Sequence, residues 1–160
     1  RTGIAMALHL PDGKHFQFGV DRERPLPNDP EELQRMVADL ILPLEIAVCP
    51  TVREPDGLAV SSRNQYLSPQ DRREAPVIYR ALQRCADLIA ASERNAAGIV
   101  GQMHNVLRQV PALQVEYVSI VDAETLEAVE QVQGRVLVAI AARLGSTRLI
   151  DNIVVDTAGK

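Results

Sequence analysis

The chain has 160 residues, of which 46% are hydrophobic and 24% are charged, and its formal net charge is −4. This composition is typical of a soluble globular protein and excludes a chain that is disordered throughout. The negative charge argues against binding to nucleic acid, and the longest apolar runs, such as VLVAIAA at 136–142, are too short to cross a bilayer.

The cysteines and the first residues bear on where the chain resides. Cys49 and Cys85 are far apart, with no C-x-x-C motif and no neighbouring histidine. We therefore expect two free thiols in a reducing cytoplasm, and neither a disulfide nor a zinc site. The N-terminus shows no signal-peptide pattern, and the start at Arg1 without a methionine predicts a fragment or a processed chain.

The first fifty residues predict an alternation of strand and helix. Residues 1–10 are apolar and are interpreted as a helix end, and a strand is predicted around Phe16–Val20. Asp29 is a helix cap with Pro30 at the first helical position, and LEIAVCP at 44–50 is typical of a buried strand. Strand, helix and buried strand in succession predict a βαβ unit of a parallel sheet.

After Pro50 the sequence becomes polar, and TVREPDGLAVSSRNQYL at 51–67 predicts a loop with a short extended piece. Ser68 then caps a helix over 69–91, with Pro69 at its first position. A second amphipathic helix is predicted to end before Pro111. Its apolar residues at helical spacing are Ile99, Val100, Met103, Val106, Leu107 and Val110.

The last third of the chain changes to the period of a strand. QVEYVSIVD, GRVLVAIAAR and TRLIDNIVVD predict three strands, with a turn or short helix over AETLEAVEQVQ between the first two. Two helices followed by three strands predict a compact α+β unit with a three-stranded antiparallel sheet.

The stretch DGLAVSSRNQ at 56–65 gathers hydroxyl, guanidinium and amide donors directly after a glycine. Gly57 gives the backbone freedom to turn, and with Asp56 it is expected to set the shape of the loop. From the residues alone, the run is either a polar connection between elements or part of a site that binds phosphate.

Long ungapped segments around this run resemble pantothenate synthetases, the pantoate–β-alanine ligases. PTVREPDGLAVSSRNQYLSPQDR resembles the segment that carries that family's DGLAMSSRN signature. ARLGSTRLIDN resembles its AARLGKTRLIDN, and VEYVSIVDAETLE resembles its VDYVEVVDPETLE. The resemblance extends from about Leu33 to Ile153.

The resemblance implies an enzyme that activates pantoate with ATP and Mg²⁺ and then transfers the pantoyl group from its adenylate to β-alanine. It implies an α/β fold, in which residues 1–51 are the remnant of a Rossmann-type nucleotidyltransferase domain. Residues 52–160 would be the α+β C-terminal domain that closes over ATP. It further implies a homodimer in the full-length enzyme, with only small molecules as ligands.

The resemblance also assigns roles to individual residues. Val52 matches a residue whose backbone contacts adenine. Ser62 and Arg63 are expected to be catalytic, because fixed donors stabilise the charge that gathers on the phosphates in the transition state. The expected triphosphate-binding residues are Val60, Ser61, Ser62 and Arg63. By contrast, Arg148, Asp151 and Asn152 of RLIDN are expected to form a structural ion pair and a turn.

The chain also departs from the family's pattern. It contains no H-x-G-H motif, whose histidines bind phosphate in the family. Gly19 and Asp21 match the family's F-G-x-K-D segment and are carried over as ATP-binding residues, but no lysine precedes the aspartate. We therefore expect this chain alone to lack a normal rate of pantothenate formation.

Two other functions fit these sequence features. One is a non-catalytic C-terminal domain that serves as a scaffold or dimer partner, and the missing histidine motif favours it. The other is an adenylate-forming nucleotidyltransferase that acts on a different small acid. The intact S-S-R-N run favours the ligase.

Overall fold

The structure describes three stretches of the chain, which divides into two compact units. In this computed structural model the described residues are 2–9, 15–22 and 50–157. The units are Arg1–Cys49 and Pro50–Lys160. None of the helices within the described stretches is both long enough and apolar enough to cross a membrane.

The described part of the first unit is an antiparallel pair of strands. Strand β1 (Thr2–His9) pairs with β2 (His15–Arg22) in a register that runs from Thr2↔Arg22 to His9↔His15. The strand predicted around Phe16–Val20 is confirmed. The helix end predicted for residues 1–10 is wrong. A short apolar run has no periodicity that distinguishes a helix from a strand, and here the pairing with β2 makes it a strand.

Two further elements were predicted for the first unit. The helix beginning at Pro30 lies outside the described residues, and so do residues 44–49 of the buried strand predicted at 44–50.

The second unit has helices packed on a three-stranded sheet. After a 3-10 helix (Ser62–Tyr66) come α1 (Pro69–Glu74), α2 (Val77–Ala90) and α3 (Ala96–Leu107). Strands β3 (Leu113–Asp122), β4 (Arg135–Leu144) and β5 (Thr147–Asp156) follow and form an antiparallel sheet in the order β3-β4-β5. The predicted α+β unit and its three strands are confirmed.

The start of α1 follows from local chemistry. The Oγ atom of Ser68 accepts a hydrogen bond from the backbone N–H of Asp71 at 3.1 Å, and its hydroxyl donates to the carboxylate of Asp71 at 2.7 Å. The predicted cap at Ser68 is therefore confirmed. The single helix predicted over 69–91 is wrong, because the helix is interrupted at Pro76. Proline has no backbone N–H, and its ring clashes with the preceding turn of a helix.

The remaining elements depend on similar local signals. Asn95 caps α3 by accepting the N–H of Gly98 at 2.7 Å, and the helix ends at Leu107 before Pro111. Between β3 and β4 the chain makes turns and isolated bridges. The prediction of a turn or short helix there is thus resolved in favour of the turn.

The core lies between the helices and one face of the sheet. Alternate residues of β4 point to it, because side chains alternate across a strand. Cys85 of α2 is also buried there with a free thiol, and burial raises its pKa to about 12. The largest fully buried residues are Ile78, Leu82, Ile99, Met103, Leu107, Ile140 and Leu144.

We expect residues from about Val52 to Lys160 to fold without the rest of the chain, because the helices and sheet enclose their own core. A chain of these residues alone should unfold in urea in one cooperative transition, with a slope of about 1–3 kcal/mol/M. Limited proteolysis of all 160 residues should cut first in the Pro- and Gly-rich stretch before Glu31. Rapid cleavage within α2 would contradict this expectation.

Candidate functional site

The chain leaves Pro50 and makes a short hairpin over 52–60. Arg53 and Ala59 form an antiparallel bridge at its centre. The N–H of Val60 donates to the carbonyl of Val52 at 3.0 Å, and the N–H of Glu54 donates to the carbonyl of Leu58 at 2.8 Å. The hairpin leads directly into the S-S-R-N run, so its position determines where that run begins.

The turn of the hairpin is set by Asp56 and Gly57, as the sequence predicted. The Asp56 carboxylate accepts the N–H of Leu58 at 3.2 Å and a hydrogen bond from Arg72 of α1. This arginine holds the pKa of Asp56 below its usual value. Gly57 has a φ of +92°, a conformation that favours glycine.

Gly57 is also buried, and its backbone is engaged at both ends. Its N–H donates to the carbonyl of Glu54 at 2.9 Å, and its carbonyl accepts from Arg53 at 3.1 Å. The Cα of Gly57 packs on Tyr79 so closely that a Cβ atom would lie 2.2 Å from the ring. Gly57 therefore lies in a turn that is fixed by its contacts. The conformational freedom expected from the sequence allows Gly57 to adopt this one conformation.

The S-S-R-N run begins a 3-10 helix instead of the loop predicted from the sequence. Ser61 caps this helix, and its Oγ atom accepts the N–H of Arg63 at 3.2 Å. The side-chain amide of Asn64 donates to the carbonyl of Ala59 at 3.0 Å, which ties the helix back to the hairpin. The Oδ1 atom of Asn64 is buried and has no hydrogen-bond partner among the described residues.

A cleft of about 260 Å³ lies between this run and β5. The hairpin, the 3-10 helix, α2 and β5 all contribute to its walls. The residues that line it are Thr51, Leu58, Ala59, Val60, Ser61, Arg63, Asn64, Ile78, Arg148, Leu149, Ile150, Asp151 and Asn152.

Arginines outnumber acidic residues among the described residues that line this cleft. These include Arg63, Arg148 and Asp151. Asp151 is already neutralised, because Arg53 donates to both of its oxygens, at 2.6 and 3.0 Å. Planar guanidinium groups bind phosphate oxygens well.

The guanidinium of Arg148 is held from outside the cleft. Glu116 of β3 accepts a hydrogen bond from the Nε atom of Arg148 at 2.7 Å and from that of Arg143 at 2.9 Å. Arg148, and then Arg143, lowers the pKa of the Glu116 carboxyl. The sequence predicted an ion pair within RLIDN, but Arg148 pairs with Glu116 and Asp151 pairs with Arg53. The RLIDN residues lie in β5 and not in a turn.

The structure brings part of the predicted site together. Val60, Ser61 and Arg63 line the cleft. Val52 and Ser62 are exposed nearby and are not among the described residues that line it. The carbonyl of Val52 accepts the hydrogen bond from the N–H of Val60. The predicted roles of all five residues stay predictions.

Gly19 and Asp21 lie in the other unit. Both are on β2, where Gly19 is opposite Ala5 and Asp21 is opposite Gly3. Their predicted contact with ATP stays a prediction.

Sequence reasoning gave Arg53 and Asn64 no individual role and gave Arg148 only a structural one. Asn64 and Arg148 line the cleft, and Arg53 pairs with Asp151 at its edge. The signal for Arg53 was Asp151, which lies on the core face of β5 between apolar residues and so requires a partner. Within residues 50–157 and the two strands of the first unit, no group of three His, Cys, Asp or Glu side chains is placed to bind a metal ion.

The chain is similar to known proteins in family, in sequence and in structure. The family model described as "Pantoate-beta-alanine ligase" matches residues 31–154. The pantothenate synthetase of Moorella thermoacetica is 50% identical over 124 residues, which are 78% of this chain and 44% of that protein. The chain thus spans less than half the length of this relative.

A second relative matches more of the chain. The bifunctional pantoate ligase/cytidylate kinase of Synechococcus elongatus is 48% identical over 155 residues, which are 97% of this chain and 29% of that protein. This match includes most of the stretch between 10 and 30, where the sequence departs from the family's F-G-x-K-D pattern.

The solved structures agree with the sequence comparison. The pantothenate synthetase of Thermus thermophilus superimposes with a TM-score of 0.72 at 40% identity, over 78% of this chain and 45% of that one. Together with the antiparallel sheet and its helices, this match confirms the predicted fold class: a remnant of a Rossmann-type nucleotidyltransferase domain followed by a small α+β domain.

Proposed function

The chain belongs to the pantoate–beta-alanine ligase family, and we propose that it supplies the triphosphate-binding part of an enzyme that joins pantoate to β-alanine with ATP. One observation carries this proposal. The described residues that line the cleft between the S-S-R-N run and β5 include Arg63 and Arg148, and the carboxylate of Asp151, which also lines it, is already paired with Arg53.

The proposed reaction has two steps. A carboxylate oxygen of pantoate attacks the α-phosphorus of ATP, a new P–O bond forms, and pyrophosphate leaves with the electron pair of the broken bond. The amine of β-alanine then attacks the acyl carbon of the pantoyl adenylate and loses a proton, and AMP leaves. Mg²⁺ enters as part of the ATP complex.

Arg63 and the serines before it act in the first step of this proposal. Negative charge grows on the bridging oxygen and on the departing pyrophosphate, so donors already fixed beside them stabilise the transition state. The Oγ of Ser61 accepts the N–H of Arg63, which leaves the serine O–H to donate to a phosphate oxygen. Ser62 is exposed at the first turn and offers a second hydroxyl.

Catalysis also requires groups that the 160 residues do not contain, such as the family's H-x-G-H motif. We therefore propose that this chain binds the triphosphate but does not complete the reaction by itself. We extend the proposal to a cytoplasmic homodimer, as the resemblance to the family implies. A scaffold domain is the alternative.

The proposal can be tested by measuring AMP release from a chimera. In this chimera residues 31–154 replace the matching 124 residues of the Moorella pantothenate synthetase. The proposal expects this chimera to release AMP in the presence of ATP, pantoate and β-alanine, at about 1 s⁻¹ or faster, the low end of typical enzymes. The 160-residue chain alone should stay far below that rate.

Two results would decide against the proposal. A folded chimera that releases no AMP would favour the scaffold function. A chimera that uses another small acid in preference to pantoate would favour the other adenylate-forming enzyme. Circular dichroism of the chimera serves as the control for folding.

A further inference from the structure

We propose that Arg53 and Asp151 form a positioning pair that fixes the S-S-R-N run for adenylyl transfer from ATP. The inference rests on the proposed function, and it assigns a role to two residues that do not belong to the predicted triphosphate-binding set. Arg53 belongs to the hairpin before the run, and Asp151 belongs to β5 on the far side of the cleft.

The pair has the two-pronged geometry of a guanidinium facing a carboxylate. Nη1 of Arg53 donates to Oδ2 of Asp151 at 2.6 Å, and Nη2 donates to Oδ1 at 3.0 Å. Oδ1 also accepts the backbone N–H of Asn152 at 2.8 Å. Two parallel hydrogen bonds fix both the distance and the direction of the arginine, which one bond cannot do.

Both partners are largely withdrawn from water. The side chain of Arg53 is 16% exposed and that of Asp151 is 7% exposed. In such surroundings the loss of hydration offsets much of the attraction, so a buried ion pair adds little net stability. A role in holding one geometry explains the pair better than a role in stability alone.

Arg53 connects three elements. Besides Asp151 it donates to the carbonyl of Gly57 at 3.1 Å, so it holds the turn of its own hairpin. Its guanidinium also lies over the ring of Tyr79, with 4.0 Å between Cζ and the ring centroid. The hairpin, α2 and β5 are therefore held together by one side chain.

The hairpin transmits this position to the hydrogen-bond donors that are proposed to bind phosphate. Val60 ends the hairpin through its bond to Val52, and Ser61 follows without an intervening residue. Asn64 ties the 3-10 helix to Ala59, the residue bridged to Arg53. A shift of the hairpin therefore moves the donors of Ser61 and Arg63 with it.

The first test measures hydrogen exchange in the 160-residue chain. We expect Arg53→Lys to speed exchange of the Leu58 and Val60 amides about tenfold or more through local opening, with no change at Ile140 in the core. Lysine keeps the charge but cannot make two parallel hydrogen bonds. Arg143→Lys is the matched control, because it changes an exposed ion pair of the same sheet and should alter neither region.

The second test measures pyrophosphate release by the chimera in a single turnover, at a temperature where all variants are folded. We expect Arg53→Lys to lower the rate at saturating ATP by about 10- to 100-fold, with a smaller change in the ATP concentration at half-maximal rate. A merely structural role would lower the folded fraction and leave the rate of folded molecules unchanged.

Each outcome bears on the pair. Faster hairpin exchange together with a slower release step supports the positioning role. Unchanged exchange at Val60, or an unchanged release rate, overturns it. A chimera that is inactive with Arg53 present would be a failure of the proposed function, and the exchange experiment would still decide whether the pair orders the hairpin.

Discussion

Replacement of Arg63 by alanine in the chimera is expected to lower the rate of the proposed adenylate-forming step about 10²–10³-fold, equivalent to about 2.7–4 kcal/mol of transition-state stabilisation. Arg63 lines the cleft and lies at the start of a helix whose cap fixes its backbone. If its donors act mainly on the departing pyrophosphate, the rate falls more than ATP binding weakens.

The measurement is pyrophosphate release in a single turnover of the chimera, with ATP affinity determined separately. Arg108→Ala is a matched control, because Arg108 is an exposed arginine at the end of α3 and does not line the cleft. Ser62→Ala tests the neighbouring hydroxyl in the same assay. Unchanged rates in both Arg63→Ala and Ser62→Ala would mean that the run is only a polar connection.

Gly57→Ala is expected to destabilise the second unit by about 2–5 kcal/mol, as strain and overpacking add. The φ of +92° is strained for any residue with a Cβ atom. The new methyl group would lie 2.2 Å from Cδ1 and 2.9 Å from Cε1 of Tyr79, so the ring or the hairpin must move. The change is measured as the shift in free energy of unfolding in urea.

Gly134 provides a matched control for this substitution. Its φ is +61°, and a Cβ atom there would meet nothing within 4 Å. Gly134→Ala should therefore show the backbone term alone, about 1 kcal/mol. If Gly57→Ala is no more costly than Gly134→Ala, the close contact with Tyr79 does not constrain the turn.

Features that depend on near neighbours in the sequence could be predicted. The cap at Ser68 requires only a serine, a proline and an acidic residue three positions on, and it forms as expected. The three strands after Leu113 follow from their apolar periods. The turn at Asp56 and Gly57 is likewise local, since both of its main determinants lie within two residues.

Other features depend on partners far along the chain, and these were missed or misassigned. Asp151 was paired with its neighbour Arg148, whereas its partner lies 98 positions away. Glu116 was not expected to hold Arg148, because the two meet only once β4 and β5 have formed. The break at Pro76 was overlooked because the apolar period continues across it from Ala75 to Ile78.

The contact between Arg53 and Asp151 also sets the order in which the site can form. It joins a residue near the start of the second unit to one near its end, so it closes a loop of almost the whole unit. Contacts of such high sequence separation carry a large loop-closure entropy and form late in folding. During synthesis from the N-terminus, the hairpin emerges first but gains this partner only after β5 has left the ribosome. The proposed ability to bind phosphate is therefore expected to be acquired last, when the domain is complete.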